Sequence, residues 1–310
     1  MKAALMFSGQ GSQYLGMGKE FYDNFPEVQA LINEAEKVTN YPIKKILFED
    51  EELLNNTKYT QVALFALYGA IIKVLKKYDL NINYSMGLSL GEYGAYLYND
   101  VFDFALGLEI IKNRAILMEK AQNLNPGKMC AVIGLDLKTL EMALKDEVNS
   151  LEIANYNAYD QYVVSGSSEA ILNFKDKVLT LGAKRAIVLN TSGAFHSRFM
   201  KNAEKDFGEY LKTITLNEPV KNLYINLTGN KYTEAIKEVM TKQITHGVRF
   251  YQMVENMILE GVDFFIEIGP KQTLSSLVKK INPNVEVTNI EDLVSLNKTM
   301  SKWRDRNEGK

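Results

Sequence analysis

The chain has 310 residues, with 36 Lys and Arg against 38 Asp and Glu, for a formal net charge of −2. That balance excludes a nucleic-acid or membrane-surface role driven by overall charge, while leaving room for a local basic patch. Hydrophobic residues make up 46% and charged residues 24%, as in an ordinary globular protein. The length fits one large domain and a subdomain. Cys130 is the single cysteine, so no intramolecular disulfide can form, and with only two histidines a zinc site is not expected.

Ala3 to Phe7 reads as a buried strand rather than a signal peptide. Ser8 to Gln13 follows as a polar, glycine-bearing loop, which suits a ligand loop or a plain strand-to-helix turn equally well. It is not G-x-G-x-x-G, and no P-loop lysine follows. Helices are expected over Lys19 to Asn24 and Pro26 to Val38. Thr57 reads as the N-cap of a long helix over Tyr59 to Tyr78. Its apolar face, with Val62, Phe65, Ala66, Ile72 and Val74, is too broad for a surface helix. No apolar segment reads as long enough to span a bilayer.

Tyr84 to Tyr93 reads as a short strand, a tight turn carrying Ser89, and the start of a helix. Gly87 and Gly91 flank the serine in the G-x-S-x-G pattern of a nucleophile elbow. The alternative is a serine that only caps the helix. Asp103 is the expected cap of a helix running to Gln122, with Arg114 near its middle. Taken alone, that arginine reads as one whose stem lies in apolar surroundings while its head reaches solvent.

From Lys128 to Leu189 the pattern becomes β-α-β-β-α-β, that of a ferredoxin-like split unit. Strands are expected at Lys128 to Gly134, Leu151 to Tyr156, Gln161 to Gly166 and Lys184 to Leu189. Helices are expected at Leu137 to Glu147 and Glu169 to Leu181. Cys130 lies in its first, apolar strand and reads as a buried thiol. The expected organisation is a catalytic domain over 1–124 and 191–310, with 125–190 inserted. Beyond it, helices are expected at Arg198 to Lys212, Thr233 to Thr245, Phe250 to Glu260 and Gln272 to Lys280. Strands are expected at Leu223 to Asn226 and Asp263 to Ile268, and the last ten residues are expected to fray.

A serine nucleophile needs a base, and only His196 and His246 exist. His196 lies in a Ser/Gly/Ala-rich loop after a strand, where catalytic side chains tend to sit. His246 follows a helix and suits a C-terminal cap.

At this point the residues resemble the malonyl-CoA:acyl carrier protein transacylases, relatives of polyketide-synthase acyltransferase domains. The motifs are Phe7-Ser8-Gly9-Gln10-Gly11-Ser12-Gln13, Gly87-Leu88-Ser89-Leu90-Gly91-Glu92-Tyr93, Arg114, Gly193-Ala194-Phe195-His196-Ser197, Gln243 and Glu267-Ile268-Gly269-Pro270. They run in family order over roughly residues 1 to 280. The resemblance implies an α/β fold, with a hydrolase-like large domain, a central mostly parallel sheet and the inserted ferredoxin-like subdomain. It implies malonyl transfer from malonyl-CoA to the phosphopantetheine thiol of holo-acyl carrier protein through an ester on Ser89, supplying fatty-acid synthesis. It assigns His196 as the base, Gln243 as its orienting residue, and the backbone N–H groups of Gln10 and Leu90 as the oxyanion hole. Arg114 becomes the clamp on the malonyl carboxylate, with Leu88 and Phe195 lining the acyl pocket. No permanently bound cofactor, metal, nucleic acid or membrane is implied, and a cytoplasmic monomer is expected.

Two residues depart from the family pattern. Leu88 stands where the family usually has histidine, which puts the strictness of acyl choice in question. Ser8 stands where proline is common, which predicts a looser loop. Phe195 resembles malonyl-selecting relatives. Lys184, Arg185, Arg198 and Lys271 are candidates for meeting an acidic carrier protein, with plain solvation as the alternative. On the residues alone, a serine hydrolase such as a thioesterase and a catalytically silent carrier-docking scaffold also remain open.

Overall fold

Short apolar runs separated by amphipathic stretches build two sheets and fourteen α-helices among the described residues, in a computed structural model that describes residues 2–78, 80–191 and 193–308. Ser192, ahead of the His196 motif, and the last two residues of the tail lie outside the described residues. The elements begin β1 (Ala3–Phe7), α1 (Lys19–Asn24), α2 (Pro26–Thr39), α3 (Ile43–Phe48), α4 (Glu51–Asn55) and α5 (Thr57–Leu75). They continue β2 (Tyr84–Gly87), α6 (Gly91–Tyr98), α7 (Phe104–Leu124), β3 (Gly127–Ile133), α8 (Leu137–Leu144), β4 (Leu151–Ala158), β5 (Gln161–Ser167), α9 (Ser168–Thr180) and β6 (Arg185–Val188). The chain closes with α10 (Lys201–Lys212), β7 (Asn222–Leu223), α11 (Ile236–Lys242), α12 (Phe250–Leu259), β8 (Phe264–Ile268), α13 (Thr273–Ile281), β9 (Glu286–Ile290) and α14 (Leu293–Glu308).

The chain divides into two compact units. The first holds Met1–Ala115, Leu216–Ile225 and Glu255–Lys310. Its five-stranded sheet has the order β7-β2-β1-β8-β9, and every neighbouring pair is parallel. β1 and β8 are buried along their whole length, as parallel strands covered on both faces should be. Phe7 pairs with both Gly87 and Ile268, so β1, β2 and β8 end level. The loops that leave them start from one sheet edge, the edge where open parallel sheets hold their ligands.

Most of α5 is buried, and it packs against α2, α3, α4 and α6. By length and composition this helix could cross a membrane, contrary to the sequence expectation, yet 83% of its apolar window is buried inside the protein. Its cap is Asn56, whose side chain accepts from the Lys58 N–H, and Thr57 is already helical. Asp103 does cap α7, accepting from the Leu106 N–H at 2.8 Å.

The second unit holds Ile116–Thr215 and Asn226–Val254. Its sheet is antiparallel, in the order β4-β5-β3-β6, with two register shifts along β4. Cys130, Val132, Tyr162, Val164, Ile171 and Phe174 share its hydrophobic core with residues of α8. Cys130 is the buried strand thiol expected, and burial pushes its pKa up to about 11.

The sequence reading missed α3, α4, β9 and α14, and it extended β7 and α11 too far. The tail expected to fray is helical through Glu308. Trp303 lies 6.2 Å from the Phe264 ring, and Arg306 reaches Asp263 at 2.6 Å and Glu286 at 3.3 Å. A polar composition hid these anchors.

Candidate active site

The elbow is built by close backbone approach. A Cβ on Gly87 would lie 2.0 Å from the Gly91 carbonyl carbon, and one on Gly91 would lie 2.0 Å from the Phe7 oxygen. Neither position accepts a larger residue unless backbone moves. Leu88 N–H donates to Phe7 O at 3.0 Å, and Gly91 N–H donates to Leu88 O at 2.9 Å, which folds the turn tightly over the end of β1. Ser89 sits at its apex with φ +53°, a left-handed conformation costly for a residue with a Cβ. The residue at the cap position of α6 is Leu90, which makes no side-chain cap hydrogen bond. The cap position itself thus falls one residue after Ser89.

Among the described residues no acceptor is hydrogen-bonded to the backbone N–H of Leu90 or of Gln10. Leu90 is buried at the start of α6, where helix N–H groups have no intrahelical acceptor. The Gln10 loop lies against the elbow, since a Cβ on Gly9 would meet Leu88 O at 2.8 Å and Leu88 Cδ2 at 3.0 Å. The loop is not loose. Ser8 N–H donates to Ile268 O at 3.1 Å, a bond proline could not make, and the Tyr68 hydroxyl donates to Ser8 O. Ser12 Oγ donates to Gly9 O at 2.7 Å, and Gln10 Nε2 to Thr57 Oγ1 at 3.1 Å. Leu88 is half-buried.

Arg114 does not reach solvent. It is 1% exposed, its Nη1 donates to Gln61 Oε1 at 2.6 Å, and its guanidinium carbon lies 5.2 Å from the centre of the Tyr93 ring. A guanidinium held by this hydrogen bond and this ring face has a defined plane, which is what bidentate carboxylate recognition requires.

In the second unit, Gly193 bridges to Pro126, and a Cβ on it would lie 2.8 Å from Gln122 Cβ. Phe195 is 7% exposed and His196 4%. His196 also has a left-handed backbone, φ +56°. Its Nδ1 lies 2.9 Å from the Gln243 carbonyl oxygen and 3.1 Å from that of His246. Two acceptors at one ring nitrogen place the proton on Nδ1 and leave the lone pair on Nε2, the form a general base needs. Gln243 thus contacts the imidazole through its backbone. The His246 carbonyl escaped the sequence reading, because a main-chain acceptor leaves no mark in residue identity. The His246 ring behaves as a helix terminator, with Nδ1 2.8 Å from Lys242 O at the end of α11. His196, Tyr156, Arg198, Lys201 and His246 line a cavity of about 600 Å³.

Ser89, Leu88, Leu90, Gln10 and Arg114 belong to the first unit, and His196, Phe195 and Gln243 to the second. Glu267 turns out to be structural. Both its carboxylate oxygens accept N–H groups at the start of α13, from Leu274 at 3.0 Å and Ser275 at 2.7 Å. Of the basic candidates, Arg198 pairs with Glu152 at 2.6 Å, Lys271 Nζ donates to Gly11 O at 3.2 Å, and Lys184 and Arg185 are exposed.

Residues 5–302 match the model of the acyl transferase domain family. A malonyl CoA-acyl carrier protein transacylase of Staphylococcus aureus is 38% identical over 300 residues, which is 94% of this chain and 96% of that protein. A transacylase of the same name from Clostridium perfringens has a crystal structure that superposes with a TM-score of 0.95 at 36% identity, covering 99% of this chain and 98% of that one. A malonyl-transacylase solved in complex with its type II polyketide acyl-carrier protein superposes at 0.94 with 31% identity, covering 97% of this chain and all of that one. A family match over nearly the whole chain, with relatives of one name matched along nearly their whole length, establishes that this chain belongs to the malonyl-CoA:acyl carrier protein transacylases of the acyl transferase family.

Proposed function

We propose that the protein transfers a malonyl group from malonyl-CoA to the phosphopantetheine thiol of holo-acyl carrier protein by a ping-pong route through Ser89, supplying fatty-acid synthesis. The observation that carries this reading is the strained Ser89 elbow, with the Gln10 loop packed directly against it. Membership of an acyltransferase family supports it.

Ser89 Oγ attacks the thioester carbonyl carbon while His196 Nε2 takes its proton. The oxyanion that forms receives the Leu90 and Gln10 N–H groups, fixed donors that need no reorganisation as charge develops. The intermediate collapses by breaking the C–S bond, and the imidazolium protonates the departing CoA sulfur. The carrier thiol then gives its proton to His196, attacks the ester carbonyl and displaces Ser89, which recovers the proton. Gln243 holds the imidazole through its carbonyl, so the site works as a dyad without a carboxylate. Arg114 grips the malonyl carboxylate, and Phe195 and Leu88 shape the acyl pocket. No permanently bound cofactor or metal takes part.

The domain reading that goes with this function is a hydrolase-like catalytic domain over 1–124 and 191–310 with a ferredoxin-like insertion over 125–190. The separate core of the antiparallel sheet and its strand order support an inserted subdomain, although the compact unit that contains it is wider, taking in 116–215 and 226–254. The protein acts as a cytoplasmic monomer.

Intact-mass spectrometry after brief exposure to malonyl-, acetyl- and methylmalonyl-CoA tests the scheme. A malonyl adduct is expected on the wild type, discharged by holo-carrier protein and absent in Ser89→Ala. An adduct retained in Ser89→Ala, or discharged as fast by water as by carrier, refutes it.

A further inference from the structure

The two carbonyls that hold His196 Nδ1 belong to one short turn, Gln243 to His246, which is held at both ends, along its backbone and from outside. At its start, Gln243 N–H completes the last turn of α11 by donating to Val239 O at 2.9 Å. At its end, Val248 exchanges backbone bonds with β4, donating to Ala154 O and accepting from Tyr156 N–H, both at 2.8 Å. Gly247 permits this approach, since a Cβ there would lie 2.5 Å from Ile153 O. At its middle, the Thr245 hydroxyl donates to Glu204 Oε2 of α10 at 2.5 Å. The same hydroxyl oxygen lies 3.0 Å from His246 Nδ1, whose N–H it shares with Lys242 O. Lys201 Nζ closes the chain by donating to Glu204 Oε1 at 2.8 Å.

We infer that Thr245 and Glu204 are positioning residues, whose hydrogen bond fixes the Gln243–His246 carbonyl pair and through it the Nδ1–H tautomer and orientation of His196. The inference rests on His196 being the base proposed above.

The N–H groups inside the turn are bound as well, Ile244 to Thr241 O at 3.4 Å and Thr245 and His246 each to Lys242 O at 3.1 Å, so the turn hangs on the C-terminal end of α11. Gln243 and Ile244 are fully buried and fill the inner side, whereas Thr245 is half-buried and His246 exposed. On the outer side the Thr245–Glu204 bond ties that turn to a second helix, α10, which its bonds to α11 do not do. Glu204 suits the task. Burial opposes its ionisation, but the bonds from Lys201 and Thr245 outweigh burial and hold its carboxyl below the usual range. A carboxylate is a firmer acceptor for a hydroxyl than a neutral oxygen.

With two histidines in the chain, imidazole 15N NMR resolves both directly, and His246→Asn assigns them. In the wild type His196 reads as the Nδ1–H tautomer. Thr245→Val removes the hydroxyl at nearly constant volume. It is expected to mix the His196 tautomers and to lower its titration midpoint, because the carbonyls that stabilise the imidazolium drift away. It should also lower kcat about tenfold, the worth of one hydrogen bond, with KM for malonyl-CoA unchanged. Thr245→Ser restores the tautomer, the midpoint and kcat. Glu204→Ala reproduces the Thr245→Val phenotype, and the double variant is no worse than either single one. The other ionisable groups lining the cavity are Glu152 and Tyr156 of β4, Arg198 ahead of α10, Lys201 at its start, and His246, and none changes in these two single variants. A His196 tautomer and midpoint unaltered in Thr245→Val, or losses that add in the double variant, overturn the inference. A braced His196 in an enzyme that transfers no malonyl group refutes the proposed function instead and leaves the brace standing.

Discussion

Replacing Arg114 with alanine tests the acyl pocket where the structure is most specific. The guanidinium is 1% exposed, bound to Gln61 Oε1 at 2.6 Å and set over Tyr93. Meeting a substrate carboxylate offsets part of the cost of burying a cation held flat in this way. Malonyl-CoA brings that carboxylate and acetyl-CoA does not. A charge-assisted pair is worth about 1.5–3 kcal/mol, so Arg114→Ala should lower the malonyl:acetyl ratio of kcat/KM by roughly 10- to 150-fold. Truncating a large buried side chain also destabilises the fold, but unfolded enzyme is lost to both substrates equally and cancels in the ratio. Arg114→Lys keeps the charge while losing the planar fork, so it should fall between the two. Parallel initial rates with the two thioesters and one carrier protein give the measurement. An unchanged ratio in Arg114→Ala removes this residue from acyl recognition.

Gly91→Ala would put a Cβ 2.0 Å from the Phe7 oxygen. It should lower the melting temperature and abolish labelling of Ser89 by a fluorophosphonate, and a variant that folds and labels normally would show the elbow to be looser than drawn. Burial raises the carboxyl of Glu267 from its ordinary range to about 7. The folded protein therefore keeps that proton to higher pH than the unfolded chain does. The associated stability is full below the ordinary carboxylate range and lost as pH rises through about 7, a change of roughly 3 kcal/mol. Melting curves from pH 5 to 8 should reveal this decline in the wild type and a flatter profile in Glu267→Gln, and equal slopes would contradict it.

What could be read from the sequence followed from how strongly each feature constrains residue identity. A parallel strand buried on both faces must be apolar throughout, so Ala3 to Phe7 and the strand before Gly269 were legible to within a residue. The elbow was legible because close backbone contact at Gly87 and Gly91 admits only glycine. β9 and α14 were not, since each needs just one apolar face and their anchors, Trp303 and Arg306, are scattered among polar residues. Arg114 was misjudged locally, because an arginine amid apolar residues looks the same whether its head reaches water or a buried amide. Ser8 was misjudged because its contribution is a backbone N–H, visible only once Ile268 O lies opposite it.

The two side chains assigned to proton transfer share one backbone peculiarity. Ser89 and His196 are among only five non-glycine residues with positive φ among those described. Left-handed backbone costs a residue with a Cβ on the order of 1 kcal/mol, and glycine would remove the strain at either place. Glycine also has no hydroxyl and no imidazole. At Gly11, Gly16 and Gly18, where no side-chain chemistry is invoked, positive φ is met by glycine itself. Strain kept at these two positions, where the cheaper residue would forfeit a reactive group, agrees with the roles proposed for them, while Asn40, Asp100 and Lys271 carry the same conformation without such a role. Both turns are also bound tightly by neighbouring backbone, Ser89 between Phe7 O and the start of α6, and His196 at the Gln243 and His246 carbonyls. The scaffold over-determines each conformation, so the strain persists in the folded state instead of relaxing into a misdirected side chain.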